Sequence, residues 1–254
     1  MEIHVVAHRP LPVDLPSPFR VLHVGAAAAE GLRPNDRDGD SIADLNPMYS
    51  ELTGQYWIWK NHFPTLPADR IVGFAHYRRY LTFEHDFVDI DRVMRLDHEA
   101  RLREIFARGH DVVLPKPTRY YMKRGFLRHS RRLGRLVFPW TPLPIGERYA
   151  MVHHREDLTA AIDHLPSPHR DGFVAHLAGN AFTAYNMYVA RKSLLDDYFS
   201  TLFPWFRGLE RVIDVTGRSV QQTRVFGFLG ERFASYWFGR LPRPYRSTVS
   251  RVFR

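Results

Sequence analysis

Short apolar runs that end abruptly in cationic residues constrain the fold of this chain more than any other feature. Ile3–Ala7 is followed directly by His8 and Arg9, and Ile71–Ala75 is followed by the segment His76–Arg79. Apolar runs of this length are typical of strands that are covered on both faces. Because helical patterns alternate with such runs, the sequence predicts an α/β fold: one domain with a mostly parallel central sheet flanked by helices.

The same patterns predict the remaining elements. Strands are expected at Phe19–Val24, His110–Leu114 and Ala184–Ala190, and helices at Met48–Phe63, Asp91–Ala107, Glu147–His164, Lys192–Phe203 and Val220–Phe238. No Gly/Ser-rich or acidic stretch divides the chain. Residues 1–238 are therefore predicted to form one domain, followed by a basic C-terminal tail at residues 239–254.

The loop predicted at Gly31–Asp44 contains two aspartates, Asp38 and Asp40, separated by one glycine. This spacing is compatible with a metal site, but Asp and Gly are also the usual turn residues, and we interpret the segment as a turn. No cofactor is firmly predicted. A divalent metal is compatible with the sequence but is not required by it.

The charge of the chain indicates an anionic partner. Lys and Arg outnumber Asp and Glu by 36 to 27, which gives a formal net charge of +9. A phosphorylated substrate, an anionic membrane surface and nucleic acid would all satisfy that charge. We expect no nucleic acid, because the arginines follow no recognisable DNA- or RNA-binding motif.

Two stretches of the sequence, 123–140 and 237–254, combine basic with apolar residues. Segments that lie on an anionic bilayer have this composition, although a solvated basic face has it too. No run of 18 apolar residues and no signal-peptide pattern is found, and cysteine is absent, which suits a reducing compartment. The protein is therefore expected in the cytoplasm, either free or peripheral on the inner membrane.

The cationic residues at the two strand ends could hold a phosphate ester. In α/β folds, ligands bind at the carboxyl ends of parallel strands, which is where these residues are predicted to lie. Arginine can neutralise a diphosphate by bidentate, charge-assisted hydrogen bonds, without a metal ion. The alternative is that Arg78 and Arg79 only pair with neighbouring carboxylates.

Two sequence blocks resemble a known bacterial family. The first, Glu-Leu-Thr-x-x-Tyr-Trp-x-Trp-Lys-Asn, ends at Asn61, and the second, Gly-x-x-His-Tyr-Arg-Arg-Tyr, begins at Gly73. With Asn186-Met187 and the later Gly-Phe and Glu-Arg pairs of Gly227–Arg232, they resemble a family first described as a domain of unknown function. Its members occur among capsular-polysaccharide and O-antigen synthesis proteins, and some are galactofuranosyltransferases.

The resemblance implies a GT-A-like glycosyltransferase. Such an enzyme would transfer a sugar, with galactofuranose as one candidate, from a UDP-linked donor to a lipid-linked glycan at the inner membrane. Where GT-A enzymes usually carry an Asp-x-Asp pair that holds a metal ion, this chain has His76–Arg79. The loop Asp38–Asn46 departs from the family pattern, so the identity of the donor sugar stays open.

The resemblance also implies roles for individual residues. Those expected to bind the donor are His8, Arg9, His76, Tyr77, Arg78 and Arg79. Those expected to line or brace the acceptor cleft are Asn46, Glu51, Tyr56, Trp57, Lys60 and Asn186. Tyr56 and Trp57 could equally be core residues.

An inverting transfer also needs a general base that deprotonates the acceptor hydroxyl. Glu231 is preferred because it lies in a matched motif, and Glu51 and Asp171 are the second choices. Glu231 could instead pair only with Arg232 or with an arginine of the 76–79 segment, and a retaining reaction would need no such base. The alternative function is that of a non-catalytic basic module, which binds nucleic acid or a protein of polysaccharide synthesis.

Overall fold

A seven-stranded sheet forms the centre of the computed structural model, which describes residues 1–11, 14–83, 93, 95–123 and 140–251. In chain order, the described strands are β1 (Glu2–Ala7), β2 (Phe19–His23), β3 (Ile71–His76), β4 (Arg79–Thr82), β5 (Val112–Pro115), β6 (Thr118–Arg119), β7 (Tyr121–Lys123), β8 (Trp140–Pro142), β9 (Ala181–Phe182), β10 (Tyr188–Arg191) and β11 (Pro244–Arg251). The short strands β6 and β9 form one small sheet, and β7 and β8 form another.

The strands of the central sheet run in both directions. β1 lies between β2 and β3 and is parallel to both, while β10 pairs antiparallel with β3 and β5. β11 lies parallel to β5 and antiparallel to β4, which returns to β3 through the pair His76–Arg79. The α/β class is confirmed, but the sheet is mixed: β4 and β10 run against the other five strands.

The segment predicted as a basic tail contributes a strand to the middle of this sheet. β11 is inserted between β4 and β5, and Ser247 and Ser250 on it are buried. The basic side chains are also tied to the domain: Arg246 donates to Thr183 Oγ1 at 2.9 Å, and Arg243 to the carbonyl of Arg108 at 2.8 Å. The fold therefore has no boundary at residue 238.

Helices cover both faces of the sheet. The described α-helices are Gly25–Ala29, Asn46–Tyr49, Leu52–Trp57, His98–Ala107, Ile145–Ala150, Arg155–His164, Ser167–Ala178, Lys192–Leu209, Val220–Thr223 and Val225–Gly239. One face packs an aromatic core that joins Lys192–Leu209 and Val225–Gly239 to the sheet, and His98–Ala107 packs on the other face. Among the described residues, no helix has both the length and the apolar character that crossing a membrane requires.

The helix predicted at Met48–Phe63 is interrupted near its beginning. Asn46–Tyr49 ends at Ser50, whose φ is +55°, and a new helix starts at Leu52. The interruption is stabilised by Asn46, whose Nδ2 donates to the Ser50 carbonyl at 2.9 Å. From Ile58 to His62 the helix continues as a π-helical turn, a feature that is frequent near functional sites.

Candidate active site at the carboxyl edge of the sheet

A cationic cluster lies where β1 and β3 end. The parallel register of the two strands, Val6 opposite His76, places His8 beside Tyr77, and the Tyr77 hydroxyl lies 3.3 Å from His8 Nε2. The guanidinium groups of Arg9 and Arg78 lie 4.9 and 4.8 Å from the centre of the Tyr77 ring. Tyr77 thus contacts two arginines that follow the ends of different strands.

The third arginine of this cluster, Arg79, lies over a second ring, with its guanidinium 4.7 Å from the centre of the Tyr185 ring. Among the residues that the structure describes, no carboxylate forms an ion pair with Arg9, Arg78 or Arg79. Burial, followed by the charges of Arg78 and Arg9, lowers the pKa of His8. The cluster therefore concentrates positive charge that no described protein group neutralises.

A strained segment, Tyr185-Asn186, lies next to this cluster at the entrance to β10. Both residues have positive φ, +86° and +42°, a backbone conformation that costs energy for residues other than glycine. Three hydrogen bonds hold it: His76 Nε2 donates to the Tyr185 carbonyl at 2.5 Å, Gln55 Nε2 to the Asn186 carbonyl at 2.9 Å, and Tyr185 N to Glu231 Oε1 at 3.1 Å. Strain that is held in this way is a common property of active sites.

Glu231 lies under that segment on the helix Val225–Gly239. Its Oε2 accepts a hydrogen bond from Arg232 Nη1 at 3.0 Å, and its side chain is 17% exposed. Burial raises the pKa of Glu231; the charge of Arg232 opposes the increase and that of Glu51 adds to it. A mostly buried carboxylate with a raised pKa is a suitable general base, provided that substrate reaches it.

A second carboxylate, Glu51, lies close to His76. Its Oε1 accepts a hydrogen bond from Asn186 Nδ2 at 2.7 Å and lies 3.9 Å from His76 Nε2. On its other side, Arg224 Nη2 lies 3.9 Å from Glu51 Oε2. Burial lowers the pKa of His76, although the Glu51 charge opposes this shift.

Asn186 and Asn46 are braces rather than surfaces for a ligand. Asn186 is 2% exposed, and its Nδ2 bonds both Glu51 and the carbonyl of Gly227. Asn46 holds the turn at Ser50, as described above. Asn186 is therefore enclosed by protein, whereas Asn46 is only partly buried.

The second half of the aromatic motif lies away from this edge. Tyr56 donates to Asp40 Oδ1 at 2.8 Å, Trp57 Nε1 to the Asp38 carbonyl at 2.5 Å, and Asn61 Nδ2 to the Asp40 carbonyl at 2.8 Å. These bonds fix the loop that carries the two aspartates. Asp38 also pairs with Arg33, so both carboxylates have protein partners.

Tyr56 and Lys60 line a separate pocket of about 180 Å³ together with Trp59, Phe203 and Arg207. They were expected in the same cleft as the donor-binding residues. The structure instead divides the motif: Glu51 and Gln55 face the carboxyl edge, whereas the residues from Tyr56 onward face this pocket and the 38–40 loop. Asp171, a second choice for the base, lies on the helix Ser167–Ala178 and is exposed.

Two residues of the site were not predicted from the sequence. Arg224 donates through Nε to Ser50 Oγ at 2.8 Å and lies near Glu51, and Tyr185 supplies the ring under Arg79. Arg224 belongs to no motif that could have identified it. Tyr185 directly precedes Asn186, but the sequence pattern predicted a strand for both residues. A turn predicted at this position would have indicated that the Tyr185 side chain lies near the site.

Of the two stretches predicted to contact a membrane, only part lies within the described residues. Residues 124–139 and 252–254 lie outside the described residues. Trp237 and Phe238 are 5% and 0% exposed, so they pack in the core and cannot reach a bilayer in this fold.

Comparison with known proteins agrees with the resemblance seen in the sequence. The family model described as Domain of unknown function (DUF4422) matches residues 2–241. The solved apo structure of the bifunctional glycosyltransferase WbbM is similar to the whole chain, with a TM-score of 0.77 and 26% sequence identity, and the match covers 45% of that structure's chain. No curated protein sequence gives a match.

Proposed function

The chain belongs to the DUF4422 family, and on that premise we propose that it is a glycosyltransferase with a nucleotide diphosphate-sugar donor. The observation that carries this proposal is the cluster of Arg9, Arg78 and Arg79, which no described carboxylate neutralises. It lies at the carboxyl edge of the sheet, where α/β folds bind phosphorylated ligands. The likeness to WbbM, which is itself called a glycosyltransferase, supports the same reaction class.

In this proposal the arginines take the place of a metal ion. Stacking on Tyr77 and Tyr185 leaves the N–H groups at the edge of each guanidinium available to a diphosphate. Guanidinium pairs bind phosphate oxygens in bidentate geometry, and fixed charges stabilise a leaving diphosphate without reorganisation. UDP is the proposed nucleotide.

Glu231 is the proposed general base of an inverting transfer. The acceptor hydroxyl oxygen bonds to the anomeric carbon of the donor while the bond from that carbon to the diphosphate oxygen breaks. Glu231 takes the hydroxyl proton, and the diphosphate leaves with the bonding electrons toward the arginines. The raised pKa of Glu231 makes its carboxylate a stronger base than an exposed one.

The finer identity of the substrates is also a proposal. We place the enzyme at the cytoplasmic face of the inner membrane, where it would extend a lipid-linked glycan of capsule or O-antigen synthesis, with galactofuranose as the transferred sugar. The net charge of +9 favours an anionic surface nearby, and the sequence resemblance favours the pathway.

A direct assay tests the proposal. The full chain is incubated with UDP-galactofuranose, UDP-galactose or UDP-glucose and a lipid-linked glycan, and both UDP release and the mass of the acceptor are followed. We expect one donor to release UDP and to increase the acceptor mass by one hexose. If no donor binds or reacts, the function as a non-catalytic partner protein would be favoured.

A further inference from the structure

A second group of chemically reactive side chains lies at the opposite edge of the sheet. Glu2 and His4 point to the same face of β1, and His62 closes over them from the π-helical turn Ile58–His62. The side chains of Glu2 and His4 are 3% and 5% exposed, and that of His62 is 31% exposed. The length of β1 separates this group from the arginine cluster by about 17 Å.

The potential ligand atoms of the three side chains converge. Glu2 Oε2 lies 3.1 Å from His62 Nε2 and 3.9 Å from His4 Nε2, and all three atoms lie within 4.8 Å of one another. Tetrahedral zinc binds its ligands at 2.0–2.2 Å, which places ligand atoms roughly 3.3 Å apart. A small contraction of the group would therefore complete three positions of such a site.

Two atoms of the group lack the hydrogen bonds that buried polar groups normally have. His4 Nε2 and Glu2 Oε1 are buried without a hydrogen-bond partner, whereas His62 Nε2 has Glu2 Oε2 at 3.1 Å. Unsatisfied buried groups of this kind are rare in native proteins and call for an explanation such as an ion.

We propose that Glu2, His4 and His62 bind a zinc ion, with water as the fourth ligand. Two imidazoles and one carboxylate with an open fourth position are an established zinc ligand set. Among the described residues, no other group of histidine and acidic side chains converges in this way. The ion would connect the start of β1 to the π-helical turn Ile58–His62.

Two arginines near Glu2 are compatible with the ion. Arg20 Nε and Arg70 Nε lie 3.4 and 3.8 Å from the carboxylate, but their side chains are 65% and 38% exposed. Arg20 can therefore turn toward solvent when the ion binds, whereas the buried Arg70 Nε lies beside Glu2 Oε1 and not beside the Oε2 that faces the histidines. Without an ion, the two arginines alone would balance the charge of Glu2, and the group would be an ion-pair cluster.

Metal binding by the full chain tests the proposal independently of any transferase activity. Protein stripped with a chelator is titrated with Co²⁺, followed by its visible absorption, and its melting temperature is measured with and without Zn²⁺. We expect one tetrahedral Co²⁺ per chain, displaced by Zn²⁺, and a higher melting temperature with zinc. Because changes outside the ligand shell already cost 10–100-fold in affinity, His62→Ala should weaken Co²⁺ binding by at least about 100-fold.

Two variants make this test specific. His164→Ala removes an exposed histidine far from the group in sequence and should bind Co²⁺ like the unaltered protein. His62→Cys replaces one zinc ligand by another and should recover part of the zinc-induced increase in melting temperature. The proposal is overturned if the unaltered chain shows no tetrahedral Co²⁺ spectrum, or if His62→Ala binds the ion as well as His164→Ala does.

Discussion

The arginines and the glutamate of the site lie in contrasting electrostatic environments. The guanidiniums of Arg9, Arg78 and Arg79 lie on aromatic rings without a described carboxylate partner, whereas Glu231 is mostly buried and has a raised pKa. The first arrangement favours binding of an anion, and the second favours uptake of a proton. The two together are what a transfer from a diphosphate-linked donor requires.

Glu231→Gln should therefore reduce kcat by about 10²–10⁴-fold, which is the usual contribution of a general base. Binding of UDP should change little, because Gln keeps an oxygen that accepts from Tyr185 N. The activity of the unaltered enzyme should rise with pH through a pKa above the ordinary range of a glutamate, since burial raises the pKa of Glu231 and only its carboxylate form accepts a proton. A variant with unchanged kcat would remove Glu231 from the mechanism; Glu30→Gln, an exposed site, is the control.

Arg78→Ala should weaken UDP binding by roughly 10–100-fold, because a hydrogen bond to a charged group contributes about 1.5–3 kcal/mol. Arg78 is exposed, so the fold should tolerate the change. The measurement is titration calorimetry with UDP, and Arg211→Ala, another exposed arginine, serves as the control. Equal affinities for the two variants would argue against the arginine-held donor.

Two glycines allow the close contacts that hold the elements of the site together. Gly25 has a φ of +56°, and a Cβ at this position would lie 2.5 Å from Asn46 Oδ1. Asn46 in turn stabilises the turn at Ser50, next to Glu51. The helix Val225–Gly239 approaches Leu52 so closely that a Cβ on Gly230 would lie 2.8 Å from Leu52 Cδ1.

Gly25→Ala should lower the free energy of unfolding by about 1–3 kcal/mol, the cost of an unfavourable backbone conformation, with the contact to Asn46 added. Gly208→Ala is the matched control, and it should raise the free energy of unfolding instead of lowering it. Gly208 lies in the helix Lys192–Leu209 with open space around it, so alanine should stabilise by about 0.5–1 kcal/mol. Denaturant midpoints measure both; a neutral Gly25→Ala would contradict the described contact.

At the scale of elements, sequence patterns predicted the buried strands well and the interruptions poorly. The apolar runs that became β1 and β3 are recognisable because both faces are covered. The break at Ser50 was not recognisable from the sequence. It depends on hydrogen bonds that Asn46 and Arg224, from different parts of the chain, donate to Ser50. Strand β11 was also missed, because its alternating polar residues resemble a solvated tail.

The predicted donor residues were easier to place than the cleft residues. His8, Arg9 and the 76–79 segment follow strand ends directly, so local sequence determines where they lie. Tyr56 and Lys60 lie on the continuous helical segment that begins directly after Glu51, but position along that segment decides which region each one reaches. The order of residues in the motif does not indicate that one part faces the carboxyl edge of the sheet and the other part faces the pocket.

For the whole molecule, the C-terminal strand is part of the core of the fold. β11 joins β5 to β4, and without it both strands lose their backbone partner on that side. Truncation after residue 241 should therefore abolish cooperative unfolding, whereas truncation after residue 251 should leave it intact. Circular dichroism during thermal unfolding measures both, and a cooperative transition in the shorter chain would contradict the described topology.

The central claim is that fixed arginine charges hold the donor diphosphate at the carboxyl edge without a metal ion. Titration calorimetry of the full chain with UDP, in excess EDTA and then in Mn²⁺, tests it most directly, at temperatures well below the melting point of the metal-free protein. We expect UDP to bind in EDTA with an affinity that Mn²⁺ does not increase. Binding that appears only with Mn²⁺ would contradict the claim and would assign the diphosphate to acidic residues instead.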